Sequence, residues 1–400
     1  MTGVAIRTSK IGEHAYRADT WNPARDAGGQ HIRHIDLSSV DNEQKRVAGH
    51  QNILAEEAPS RARQLVRAGD ILVSTVRPNL NGVACVPAKL DGATASTGFC
   101  VLRPDPRRIV PEYLFHWVKS PAFVDEMIRK ATGASYPAVS DKIIFESEIP
   151  LPPIEEQRRI AAILDQADLL RRKRRQSLTL LEDLIESSCQ ETLVKWAPMN
   201  REMMTIGDIC DVQGGLQVSG ARKAAPIEVP YLRVANVYRN RLWLDEVKTL
   251  KATESEISRT SLKKADILVV EGHGNAEEIG RAAIWDGSIE GCVHQNHLIR
   301  MRVTADQMEP HFICRYLNSI EGRKHLLSRG KTTSGLNTIS VSDVRETRVP
   351  NMPAPLQREF VAKIAAIGQA KKLHETHLVR LDALFVSLQH RAFRGEFSKP

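Results

Sequence analysis

The chain has 400 residues, 42% of them hydrophobic and 26% charged, with a formal net charge of +8. That length suits two or three domains with ordinary buried cores and excludes wholesale disorder, while the charge favours a polyanionic partner without deciding one. No run approaches the ~20 apolar residues of a membrane span, Met1-Thr2-Gly3-Val4 does not open an export signal, and Cys85, Cys100, Cys189, Cys210, Cys292 and Cys314 form no CxxC pair, so a cytoplasmic protein with reduced thiols is expected.

In chain order, strand patterns rich in β-branched and aromatic residues fall at 31–35, 71–76, 83–86 and 99–102. Asn81-Gly82 and Asp91-Gly92 mark turns among them, and a helix is predicted over 112–130. A long helical pattern opens after Pro152-Pro153, with Glu155 and Glu156 where carboxylates favour a helix N-terminus. Its apolar seam runs through Ile160, Leu164 and Ala167, meets Arg171 and Arg174, and resumes at Leu178, Leu181 and Ile185. Further strands are predicted at 231–235, 267–270, 281–285 and 297–302, with a turn at Asp286-Gly287 and a helix over 311–329. A second long helix opens at Pro355, and its seam is Phe360, Ile364 and Ile367, then Lys371 and His374, then Leu378, Leu381 and Phe385. Gly395 suits its C′ position, with Arg391 and Arg394 near the negative end of the helix dipole.

The second half thus echoes the first at an offset of about 200 residues, the signature of an internal repeat. Asp70-Ile71-Leu72-Val73 returns as Asp266-Ile267-Leu268-Val269, and Pro111-Glu112-Tyr113-Leu114 as Pro310-His311-Phe312-Ile313. Ile149-Pro150 with Pro153 and Gln157 returns as Val349-Pro350 with Pro353 and Gln357. Two long helices with matched interruptions suggest that they pack on each other along a shared seam. If Ile160 lies near Phe385, Arg171 meets His374 and Arg174 meets Lys371, giving a polar waist with Glu375 as the nearest bridging carboxylate; side chains reaching out to water are the alternative. The basic run at 171–175 reads first as a solvated helix face, with partner or phosphate contacts ranked below it.

The run Ile149-Pro150-Leu151-Pro152-Pro153-Ile154-Glu155-Glu156-Gln157-Arg158-Arg159-Ile160-Ala161 resembles the junction motif of type I restriction specificity subunits, which joins each target-recognition domain to its long helix. Ile32-Arg33-His34-Ile35-Asp36, Gly69-Asp70-Ile71-Leu72 and Ala392-Phe393-Arg394-Gly395-Glu396-Phe397 also look like segments of that family, in its order along essentially the whole chain. The second junction, Met352-Pro353-Ala354-Pro355-Leu356-Gln357, departs from it by lacking the glutamate before the glutamine and one of the paired prolines. The resemblance implies an α+β fold: two tandem mixed α/β target-recognition domains at 1–150 and 198–352, separated by two long helices at 151–197 and 353–400 packed as an antiparallel coiled coil with pseudo-twofold symmetry. It implies a non-catalytic subunit without cofactors that reads a split site in double-stranded DNA. Its implied partners are two modification (methyltransferase) subunits, which methylate adenines, and restriction subunits.

Direct readout favours Arg, Asn, Ser/Thr and similar side chains on loops. The candidates are Arg33, Arg77, Asn79, Asn81, Thr132, Ser135 and Tyr136 in the first block, and Arg233, Asn236, His273, Asn275, Thr332, Thr333 and Asn337 in the second. Catalytic signatures are wanting. There is no GxxxxGK[ST] loop, and Glu277 stands where Gly272-His273-Gly274-Asn275 would need the last glycine of GxGxxG, so that segment reads as a turn. Asn22-Pro23-Ala24 fails the Pro-Pro-aromatic pattern of an aminomethylating enzyme, Pro104-Asp105 has no E-x-K at nuclease spacing, and no serine elbow occurs. The pairs His31/His34 and His294/His297 lack the further ligands of a metal site. A free-standing sequence-specific DNA-binding regulator and a coiled-coil adaptor without a DNA role are the competing readings.

Overall fold

A computed structural model describes residues 7–196, 202–220, 224–333 and 335–397. The expected boundary at 197–198 and the segment Met1-Thr2-Gly3-Val4 lie outside them. The chain divides into two compact units, one of residues 1–177 and 374–400, the other of residues 178–373. Each long helix therefore contributes to both units. The first runs Ile154–Trp196 and the second Ala354–Phe393.

Both units follow one plan. In the first, Ile71–Ser74 pairs antiparallel with Phe99–Pro104 on one side and Val83–Cys85 on the other. A second sheet places His31–Ile35 between Thr94–Ser96, parallel to it, and Gln51–Leu54, antiparallel. In the second unit, Ile267–Val270 lies between Leu298–Val303 and Ala282–Ile284. Ile227–Leu232 lies between Val293–His294, parallel, and Lys248–Ala252, antiparallel.

The repeated Asp-Ile-Leu-Val segment is apolar without alternation because both faces of its strand are covered. Ile71 and Val73 join the core that reaches the long helices, while Leu72 faces a second core with Ile35, Val86 and Phe99. Ile267 and Val269 are divided from Leu268 and Val270 in the same way. The aspartate before each strand has its own task. Asp70 takes a bidentate pair from Arg103 at 3.0 and 2.9 Å and the Arg67 N–H at 2.8 Å. Asp266 repeats this with Arg302 at 2.8 and 2.7 Å and the Lys263 N–H at 2.7 Å. Buried carboxylates are retained only where charge and lone pairs are met, as they are here.

Two helices expected as continuous are broken. Pro111–Val118 gives way to Pro121–Lys130, and Pro310–Asn318 to Ile320–Arg329. Ser120 and Ser319 cause the breaks: each takes extended backbone and accepts the N–H three residues on, from Phe123 and Gly322. The long helices begin where the junction motifs put them, and the repeated glutamine explains why. Gln157 Oε1 accepts from the Val110 N–H at 3.0 Å while its Nε2 donates to the Pro152 carbonyl at 2.9 Å. Gln357 does the same with Glu309 at 2.9 Å and Met352 at 2.6 Å. The second junction thus keeps the bond that docks its helix although its glutamate and one proline are absent. Gly395, at φ +75°, ends the second long helix in the left-handed conformation.

Within each unit the long helices run antiparallel, in a register about two helical turns from the one expected. In the first unit Arg171 donates to Asp382 at 2.6 Å and to Asp168 at 3.0 Å, Arg175 reaches Asp382 at 3.1 Å, and Arg174 meets His374 at 3.0 Å. In the second, Lys371 pairs with Glu182 at 2.7 Å. Asp382, not Glu375, is therefore the bridging carboxylate, and Arg171, Arg174 and Arg175 face the other helix instead of water. The register moved because the apolar seam does more than join helix to helix. Ile160, Leu164 and Ala167 pack with Tyr113, Leu114, Trp117, Phe385 and Phe393. Phe360, Ile364 and Ile367 pack with Phe312, Ile313 and Leu317, flanked by half-buried Leu181 and Ile185. Leu178, Leu378 and Leu381 are half-buried. The aromatic residues of the two sheet blocks decide how far each helix slides.

Candidate nucleic-acid interface

Three distant chain segments meet at the same place in each unit. In the first, Val76 pairs with Ala138, which pairs on its other side with Thr132. In the second, Gly272 pairs with Thr338, which pairs with Lys331. Each forms a small β-ridge presenting the residues that flank it.

The first ridge brings together Arg77, Asn79, Thr132, Ser135 and Tyr136, all exposed. Tyr136 is 68% exposed, and the Arg77 guanidinium lies 4.7 Å from its ring centroid. A cation over an aromatic face gives a flat, rigid group with outward donors, suited to stacking and hydrogen bonding on a polyanion. Gly133 makes the turn possible, since its φ is +100° and a Cβ there would sit 2.9 Å from the Tyr136 carbonyl. Asn81, placed with this set by sequence, points inward: its Nδ2 donates to the Lys119 carbonyl at 3.1 Å. Arg33 is also engaged elsewhere, donating to the carbonyls of Lys89 at 2.5 Å and Asp91 at 2.6 Å.

The second ridge gathers His273, Asn275 and Asn337 with the backbone of Thr332 and Thr333. The side chains of Thr332 and Thr333 lie outside the described residues. Gly272-His273, expected as a turn, is a short strand paired with Asn337 and Thr338. His273 Nδ1 accepts from the Asn275 N–H at 3.0 Å, Asn275 Oδ1 accepts from Glu277 at 3.0 Å, and Asn337 Nδ2 reaches the Gly274 carbonyl at 3.2 Å. An open concavity adjoins it, lined by Arg233, Tyr238, Arg281, Gln295 and His297 as well as His273. Arg233 is held there by Glu246 at 2.8 Å. Asn236 is only 2% exposed, and its amide donates to the carbonyls of Trp243 at 2.8 Å and Glu246 at 2.9 Å, so it shapes the turn beneath.

Sequence reasoning missed Tyr238, Arg281, Gln295 and His297. They come from three separated segments and share no local spacing. The paired histidines have places in the fold: His34 Nδ1 lies 3.1 Å from the Thr94 carbonyl, and His294 between the carbonyls of Thr260 and Gln213 at 3.0 and 3.2 Å. Burial takes His294 down to about 4, which keeps it neutral. All six cysteines are free thiols. No described helix is long and apolar enough to cross a membrane.

A family model described as the type I restriction modification DNA specificity domain matches residues 65–180 and 198–381. The chain belongs to this family. It is 26% identical over 325 residues to the type I restriction enzyme EcoKI specificity subunit of Escherichia coli (strain K12), across 75% of this chain and 68% of that one. It is 27% identical over 328 residues to the StySPI specificity subunit of Salmonella potsdam, with the same coverage of 75% and 68%. Among solved structures, a chain from work on complex assembly and conformational transition of the type I R-M system superposes with a TM-score of 0.65 at 23% identity, covering 99% of both chains. The type I restriction–modification S subunit of M. genitalium gives 0.56 at 14% identity, over 98% of this chain and 99% of that one. These two likenesses concern the fold. Membership of the family makes the chain a DNA-specificity subunit, a non-catalytic class whose work is target recognition.

Proposed function

We propose that this chain reads a bipartite site in double-stranded DNA, one half with the ridge of each unit, and positions two modification subunits and restriction subunits on it in the cytoplasm. The recognition domains are 1–150 and 198–352, and 151–197 and 353–400 are the helices that carry them. One observation supports this reading above others: the same three-segment ridge occurs in both units with different side chains on it. A shared frame with divergent readers is what an asymmetric two-part site requires. Readout falls to Arg77, Asn79, Thr132, Ser135 and Tyr136 on the first surface. On the second it falls to Arg233, His273, Asn275, Thr332, Thr333 and Asn337. Arg33, Asn81 and Asn236 support the fold beneath.

Mapping methylated adenines in the host genome, with and without this gene, tests the proposal. The expected result is a two-part motif that disappears on deletion, and Arg77→Ala or Tyr136→Ala should relax one part alone. An unchanged methylation map after deletion would exclude the reading.

A further inference from the structure

The first ridge rests on a strained loop. Arg77 and Asn81 bracket the short helical turn Pro78–Leu80, and both are left-handed, at φ 50° and 48°. Asparagine tolerates this backbone, but for Arg77 it is costly unless the surroundings enforce it. The second ridge has no such need: its corresponding segment is the strand Gly272-His273, and the left-handed residues beside the ridge, Gly280 and Gly335, are glycines.

At its first end the Arg77 N–H donates to the Pro137 carbonyl at 2.7 Å, and at its second end the loop is held by the Lys45 side chain and the Lys119 backbone. Lys45 Nζ donates to the Asn81 carbonyl at 2.5 Å, while Asn81 Nδ2 donates to the Lys119 carbonyl at 3.1 Å. Asn81 Oδ1 is buried and has no hydrogen-bond partner among the described residues, so the side-chain amide stays inward on the single bond to Lys119, while Lys45 holds the Asn81 backbone. The Lys119 side chain is itself buried, its Nζ lying 3.9 Å from the Phe115 ring centroid. Asp41 faces Lys45 favourably and Arg171 unfavourably, while Asp165 and Asp168 face Lys119 favourably and Lys45 and Arg171 unfavourably. Burial outweighs the carboxylates and takes both ammonium groups down to about 8.

The second unit shows that the fold does not demand this. Asn240 holds the place of Lys45, left-handed and just before the strand that ends its hairpin, and Asn318 holds the place of Lys119. There Asn318 Nδ2 donates to Asn240 Oδ1 at 2.9 Å and the pair pins Ala282. A neutral, mutually bonded pair serves the same position in the same chain. A half-buried ammonium whose charge burial disfavours is a poorer choice for stability alone.

We propose that Lys45 is a positioning residue for DNA reading: it holds the loop from Arg77 to Asn81 in its left-handed form, so that Arg77 stays stacked on Tyr136 and presents one fixed face to a base edge. The proposal rests on the DNA-reading role of the first ridge. Without the clamp the loop relaxes toward right-handed backbone, Arg77 leaves the ring, and the first half-site is read loosely.

The full chain, assembled with its modification subunits, is assayed for methylation of a target library randomised in each half-site. Lys45→Met, which keeps the stem and removes the donor, is expected to lower base discrimination in the half read by the first unit about tenfold, the order of one lost base contact. Discrimination in the other half stays at the wild-type level. Lys45→Arg should restore the first half. Should Lys45→Met fail to fold, Asn81→Ala breaks the Lys119 anchor and is expected to act on the same half. Unchanged discrimination in the first half, or equal loss in both, overturns the proposal. A wild-type complex indifferent to sequence in both halves overturns the DNA-reading role itself.

Discussion

At the scale of single residues, repetition separates what holds the fold from what is free to differ at the surface. Asp70 and Asp266, and Gln157 and Gln357, keep their partners to within a few tenths of an ångström across the two units. The ridge residues keep only their places: Arg77 corresponds to His273 and Tyr136 to Leu336. Glu271, at the start of the second ridge, is a charge that burial disfavours, and its carboxyl is raised to about 7 from an ordinary 4.5. The folded unit therefore holds a proton that the unfolded chain releases. The stability this supplies is complete below about pH 4.5 and is lost as pH rises through 7. Glu271→Gln should match the wild type in urea unfolding near pH 4.5 and exceed it at pH 8, by on the order of 1 kcal/mol once solvent screening is allowed for. A gap independent of pH would mean that the carboxyl is not dehydrated.

At the scale of elements, each long helix packs on two things at once, its antiparallel partner and the aromatic helix of a sheet block. Tyr113 and Trp117 meet Phe393 edge-on at 5.3 and 5.0 Å, and Phe312 meets Phe360 at 5.9 Å. The 3–4 periodicity of Ile160, Leu164 and Ala167 was legible in the sequence, but a periodic seam fits any slip of one heptad nearly as well as another. Only contact with a third body selects the slip, and it brings Asp382 to Arg171 and Arg175. Asp382→Ala should destabilise the folded chain by about 1 kcal/mol, the screened value of a half-exposed pair, whereas Glu375→Ala should leave the melting temperature within error. Equal effects of the two would contradict the register. The breaks at Ser120 and Ser319 were likewise missed because helix periodicity continues across them. A serine at an N-cap interrupts the backbone without interrupting the apolar pattern.

At the scale of the whole molecule, the net charge of +8 is spread through both repeats, and many basic groups are engaged internally: Arg103 with Asp70, Arg302 with Asp266, Arg281 with Glu278. Binding of the full chain to duplex DNA should weaken linearly in log–log form as salt rises, with a slope of about 0.9 for each phosphate contacted. A coiled-coil adaptor without a DNA role would show no such dependence.

The amino-acid order alone determined that this chain is a tandem repeat, where its long helices and the central strands of its sheets lie, and which family it joins. These are properties of local pattern and of spacing along the chain, so no third dimension is needed to read them. Tertiary structure decided which polar residues face outward. Asn79 and Asn81 look alike in sequence, yet one is exposed and the other turns in to the Lys119 carbonyl. Lys45 gave no local sign of its bond to the Asn81 carbonyl, because that loop is remote from it in the chain. Hydrogen bonds between distant segments form only after the sheets have closed, and they divide the polar side chains that turn in from those left exposed.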